Sequence, residues 1–141
     1  MESPNETINQ PEHQFETTSV FGGIYNVEML FEYSDSIHTK EMPFQDLREA
    51  VAEGHYYWDD KKGEKLGPAD LLKDWEAAQQ NDDWSDHVDN IKNADLQWPI
   101  WMTREGQVFN GMHRLTKYFV DDITPVKVKI FDSLPDEAIV N

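Results

Sequence analysis

The chain of 141 residues has no cysteine. That excludes disulfides, a thiol nucleophile and any cysteine-based zinc site. Basic residues are also scarce, with 12 Lys and Arg against 28 Asp and Glu, a net charge of −16. Binding along a nucleic-acid backbone depends on Lys and Arg displacing counterions, so direct DNA binding is not expected. No apolar run approaches the ~20 residues needed to cross a bilayer. The N-terminus lacks a basic segment followed by an apolar one, so it does not read as a secretory signal. No membrane association is expected, and the expected compartment is the cytoplasm. What the chain does have is five Trp, five Tyr and seven Phe, enough large apolar groups for one domain with a real core.

The acid excess is unevenly placed. From Pro99 to Phe131 five basic residues (Arg104, Arg114, Lys117, Lys127, Lys129) face three acidic ones (Glu105, Asp121, Asp122), which leaves the rest of the chain at −18. Two readings of that acidity compete. One is plain solubility. The other is a surface that imitates DNA phosphates and occupies a basic protein partner.

Residues Met1 to about Thr18 are polar, carry Pro4 and Pro11, and read as a disordered acidic tail, with one domain over 19–141. Ile24 to Tyr33 alternates in part, with Val27, Met29 and Phe31 on one side, and predicts a strand. Phe44, Leu47 and Val51 sit at helical spacing in a short amphipathic helix over Phe44 to Ala52, which Gly54 ends. Tyr56-Tyr57-Trp58 forms an aromatic anchor before the charged turn Asp59 to Gly63. Gly67-Pro68 opens a helix with proline at its first position and Leu71, Leu72, Trp75 and Ala78 as its stripe. A second helix runs from Ser85 to Asn93 and buries Val88 and Ile91. The C-terminal unit reads as a hairpin of Pro99–Thr103 and Gln107–Phe109 about Arg104-Glu105-Gly106. A helix from Met112 to Val120 follows, with Met112, Leu115 and Phe119 inward, and then a strand from Pro125 to Phe131.

The segment Gly106-Gln107-Val108-Phe109-Asn110-Gly111-Met112-His113-Arg114-Leu115 is a strand that turns through glycine into a helix. The first turn of a helix has amides with no internal partner and a partial positive charge. Gly111 lets a ligand approach the backbone. Arg114 offers a bidentate fork to phosphate, His113 a second donor, and Lys117 lies one turn further on the same face. A structural reading stands beside this one, in which His113 and Arg114 only cap or bridge neighbouring elements.

Ala94-Asp95-Leu96-Gln97-Trp98-Pro99-Ile100, then Gly106, Asn110-Gly111-Met112-His113-Arg114-Leu115 and Lys117, resembles the ParB/sulfiredoxin superfamily. Many of its members carry P-I, a turn glycine, D-G-x-H-R-L and a closing strand. The resemblance is specific over 94–131, weaker through His87, Ile91 and Gly67-Pro68, and fades before about Ile37. Its members include CTP-binding partition proteins, ATP-using sulfiredoxins and free-serine kinases. It implies an α/β (α+β) fold, a small mixed sheet with packed helices, and a nucleotide phosphate site at Asn110, Gly111, Met112, His113, Arg114 and Lys117. It also implies a nucleoside triphosphate with Mg²⁺ as the cofactor, and weak NTPase or kinase-type phosphotransfer.

Three departures qualify those implications. Met112 stands where sulfiredoxins have their catalytic cysteine, which rules out sulfinic acid reduction. The chain ends ten residues after Phe131, without the helix-turn-helix of partition proteins. Asn110 replaces the aspartate of many relatives, so phosphotransfer needs a carboxylate from elsewhere, with Asp95, Glu28 and Glu32 as candidates. The alternative function is a non-enzymatic acidic interaction protein that binds a basic partner on a degenerate scaffold of this kind.

The acidic run Asp82 to Asp89 lacks the glycine and distal glutamate of a calcium loop, so no metal site is assigned. His87 matches a histidine recurring upstream in such sequences, and is read as packed and hydrogen-bonded, or else as orienting the Asp95 segment or reaching the site. Most of Tyr56, Tyr57, Trp58, Trp75, Trp98 and Trp101 are expected in the core, with Trp98 or Trp101 the candidates to stack a base.

Overall fold

The structure is a computed structural model and describes residues 17–140. In chain order its elements are β1 (Thr17–Val20), β2 (Gly23–Asn26), α1 (Val27–Ser34), β3 (Lys40–Met42), a 3₁₀ helix (Phe44–Val51), β4 (Trp58–Asp59) and β5 (Lys65–Leu66). Next come α2 (Pro68–Leu72), α3 (Trp75–Ala78), a 3₁₀ turn (Asp82–Trp84) and α4 (Ser85–Lys92). The chain closes with β6 (Ile100–Thr103), β7 (Val108–Asn110), α5 (Met112–Val120), β8 (Val126–Phe131) and a 3₁₀ turn at Asp136–Ala138. This is the expected α+β class, with a mixed four-stranded sheet.

The described residues form two compact units. The first holds 17–41, 95–111 and 127–140; the second holds 42–94 and 112–126. In the first, the strand order is β3-β8-β6-β7. β6 runs antiparallel to β7 and parallel to β8, with Ile100 opposite Val128 and Thr103 opposite Phe131. β1 and β2 form a separate antiparallel hairpin. The unit's interior is aromatic. Trp101 lies 5.3 Å from both Phe31 and Phe131, and Phe109 meets Phe131 edge to face at 5.1 Å. Val27, Leu30 and Leu134 complete it.

One expectation for this unit is corrected. The predicted strand over 24–33 stops at Asn26 and becomes helix α1. Asn26 accepts a hydrogen bond from the Met29 amide, which caps the helix. Burial then falls on Val27, Leu30 and Ser34, a helical spacing, while Met29 is 51% exposed. The predicted tail lies outside the described residues except for Thr17 and Thr18, which open β1.

The second unit packs Leu66, Leu71, Ala78, Val88 and Ile91 together, ringed by Trp58, Trp75, Trp84 and Val120. Burying each of the large aliphatic side chains stabilises by about 1.5–3 kcal/mol. The helix expected from Pro68 breaks after Leu72, because Asp74 accepts from the Ala77 amide and starts α3 afresh. The helix over 44–51 forms as 3₁₀ rather than α. On α5 the inward aromatic is Tyr118, 2% exposed, whereas Phe119 is half-buried and stacked on Phe44 at 5.0 Å.

Candidate functional site

β4 and β5 are joined by a turn that Asp60 organises, its carboxylate accepting from the amides of Lys62 and Glu64 at 2.9 Å each. Gly63 supplies the left-handed residue, at φ 82°. The hairpin thereby holds Trp58 and Asp59 in place. α4 brings His87, its third residue, and α5 brings His113, its second.

These residues form one array. His87 Nδ1 and His113 Nε2 are 3.0 Å apart, and His87 Nε2 is 2.8 Å from the Asp59 carbonyl oxygen. Both imidazoles are near-parallel to Trp58, with centroids 4.9 Å (His87) and 4.5 Å (His113) from the indole and interplanar angles of 18° and 1°. Rings on opposite faces of an indole would stand about 7 Å apart, twice the ~3.5 Å contact distance. The two imidazole centroids are 5.3 Å apart. Both histidines therefore lie on the same face of Trp58 and meet edge to edge through their hydrogen bond.

The carbonyl of Asp59 only accepts, so His87 Nε2 carries a proton. In the neutral ring His87 Nδ1 is then the acceptor, and His113 Nε2–H donates to it. His113 is left with a lone pair on Nδ1. Burial, then the neighbouring His87 and Arg114, push its pKa down from 6.5 to about 3, so the ring is neutral at physiological pH.

The six residues expected at the phosphate site are thereby sorted. Asn110 ends β7, half-buried, and Gly111 carries the chain into α5 at φ 98°. Met112 is buried, 7% exposed, so it offers a ligand its amide only. His113 is neutral and hydrogen-bonded to His87. Arg114 is 8% exposed. Lys117 donates from Nζ to the Lys92 carbonyl at 2.6 Å, which satisfies an end carbonyl of α4. Arg114 is therefore the charged group of the motif nearest the helix start, and Lys117 acts in part as a structural clamp.

The three candidate carboxylates belong to the first unit. Asp95 accepts from both the amide and the side-chain nitrogen of Gln97, each at 3.0 Å. Glu28 and Glu32 stand one turn apart on the exposed side of α1. Among the described residues no group of three or more His, Asp or Glu side chains is placed to hold a metal ion.

Trp101 is sealed in the aromatic core at 3% exposure and has no face open to a base, while Trp98 is 43% exposed. The aromatic that meets the motif is Trp58, which the sequence reading assigned to an anchor. Its only signal was its place in the run Tyr56-Tyr57-Trp58, and nothing in that run distinguishes one ring from the next. His87 is packed on Trp58 and hydrogen-bonded to His113 and the Asp59 carbonyl, the packed role expected of it.

No protein-family model matches the chain, and neither a curated protein nor a solved structure does.

Proposed function

We propose that the first turn of α5 binds the phosphate group of a nucleotide or a similar phosphorylated ligand, in a domain of ParB/sulfiredoxin kind. The observation that carries this reading is a helix entered through a left-handed glycine, Gly111, with Arg114 in its first turn. The first amides of such a helix have no intrahelical acceptor and favour an anion. Arg114 supplies the positive charge, since His113 is neutral and Lys117 is drawn toward Lys92. A nucleoside triphosphate with Mg²⁺ is the ligand class that the motif's resemblance favours. Weak NTPase or kinase-type transfer would draw its carboxylate from Asp95, Glu28 or Glu32, and binding without turnover fits Asn110 better.

A thermal-shift series tests this reading with ATP, ADP, CTP, GTP and inorganic phosphate, with and without Mg²⁺. A ligand at about 100 times its Kd adds about 2.7 kcal/mol of stability. The expected result is a shift for at least one nucleotide that disappears in Arg114→Gln, with the variant's own ligand-free melting confirming that it folds. Absence of any shift in the wild type sinks the reading.

One observation favours a second reading, that of an acidic interaction protein. From Asp74 to Asp89 six acidic residues occur with no Lys or Arg, and five of the six are exposed. Under that reading a basic partner binds with steep salt dependence and is indifferent to Arg114.

A further inference from the structure

The hydrogen-bonded order Asp59 carbonyl, His87, His113 has one direction only in the neutral state. Every proton points toward Asp59: His113 Nε2–H to His87 Nδ1, and His87 Nε2–H to the carbonyl oxygen. A proton arriving at His113 Nδ1 changes this without any ring moving. His113 gives its Nε2 proton to His87 Nδ1 and keeps the new one on Nδ1. His87 then holds protons on both nitrogens and carries the charge. His113 remains neutral, but its Nδ1 has become a donor. One proton enters, one N–H bond forms at Nδ1, and one N–H bond passes from His113 to His87.

We infer that His87 and His113 take up a single proton as one unit, and that this switch makes His87 a specificity-determining residue for the charge state of whatever the first turn of α5 binds. The inference rests on the anion-binding reading given above. It assigns a role to His87, which lies 26 residues away from His113 in the chain.

The groups around the pair decide which state is favoured. From β4, the Asp59 carbonyl accepts the proton of His87, and the Trp58 ring offers its negative face to both rings. These favour the charged state. Against it stand Arg114 on α5 and the positive start of α4, where His87 is the third residue. Several nearby charged side chains have partners of their own. Lys61 donates to Ser85 Oγ, Lys62 pairs with Asp83, and Lys117 donates to Lys92. The Asp70 carboxylate on α2 accepts from the Gly67 amide. On the 3₁₀ helix, Glu49 meets His55 and Arg48 lies over Phe119. Asp86 and Asp89 on α4 are exposed. An anion at α5 offsets the field of Arg114 and tips the pair toward the proton. Binding and protonation therefore help each other, and anion affinity rises as pH falls.

Sulfate is the probe, because it keeps its charge over the range in which histidine titrates, about pH 5 to pH 8. Titration calorimetry of the full chain in two buffers of different ionisation enthalpy reads proton uptake directly. Expected are uptake approaching one proton per sulfate and an affinity gain of several-fold per pH unit on acidification, with a ceiling of about tenfold for one proton. His87→Gln is expected to bind sulfate with no uptake and a flat pH profile. Wild-type binding without uptake overturns the inference and leaves the anion site standing. Absence of sulfate and nucleotide binding overturns the anion site itself, and the inference with it. Long-range ¹⁵N–¹H spectra of the ligand-free protein separately test the tautomers. Both rings protonated at Nε2 supports the array, and a proton on His113 Nδ1 at neutral pH overturns it.

Discussion

Trp101 and Trp58 do different work in their respective units. Trp101 is 3% exposed and surrounded by Phe31, Phe109 and Phe131, rings that offer only area and edge-to-face contact. Trp58 is half-buried and gives one face to two histidines joined by a hydrogen bond. The first arrangement fills space and has no proton to move. The second has ordered protons and a lone pair on His113 Nδ1. An aromatic cluster thus becomes a candidate for chemistry when its neighbours titrate.

The contrast breaks most visibly at its apolar end. Trp101→Ala removes a buried indole from a packed aromatic core and is expected to cost about 3–5 kcal/mol in denaturant unfolding. Trp58→Ala, at a half-buried hairpin position, should cost clearly less, about 1–3 kcal/mol by area. Unlike the first variant, it should disturb the histidine resonances of the folded protein. Equal losses for the two would erase the distinction.

Acid sharpens the comparison. The unfolded chain protonates His113 at about pH 6.5, whereas the folded ring resists until about pH 3. The folded pKa is depressed, so this contribution is whole above about pH 6.5 and is lost as pH falls through the window between the two values. The slope from this one group reaches about 1.4 kcal/mol per pH unit. His113→Asn should flatten the stability profile below pH 6.5 by that amount, and an unchanged profile would contradict a ring held neutral in the folded state. The smallest effect belongs to Arg104 and Asp132, whose 2.7 Å ion pair is solvent-exposed and depresses the Asp132 carboxyl. Asp132→Asn is expected to leave the unfolding midpoint unchanged within error.

Much of the fold could be read from the residues. Helix α5 runs from Met112 to Val120 as its spacing predicted, and the hairpin and the closing strand lie where the turn glycine and the Val126-Val128 alternation put them. The segment after Gly23 could not, because Val27, Met29 and Phe31 satisfy a period of two while Val27, Leu30 and Ser34 satisfy a helix. The cap from Asn26 decides between them, and that is a three-dimensional contact. At the site, the glycine turn that leads into α5 was legible from Gly111. The neutrality of His113 was not, since it depends on Trp58 and His87 arriving from 55 and 26 residues upstream. Lys117 likewise pointed to a ligand by its helix face, whereas its ammonium finds the end of α4.

The central claim is that the first turn of α5 holds a phosphate group, and amide chemical shifts test it most directly. Mg²⁺-ATP titrated into the ¹⁵N-labelled chain should give saturable shifts that are largest at the amides of Met112, His113 and Arg114, and that are lost in Arg114→Gln. Saturable shifts centred on another element, or none at millimolar nucleotide, would contradict it.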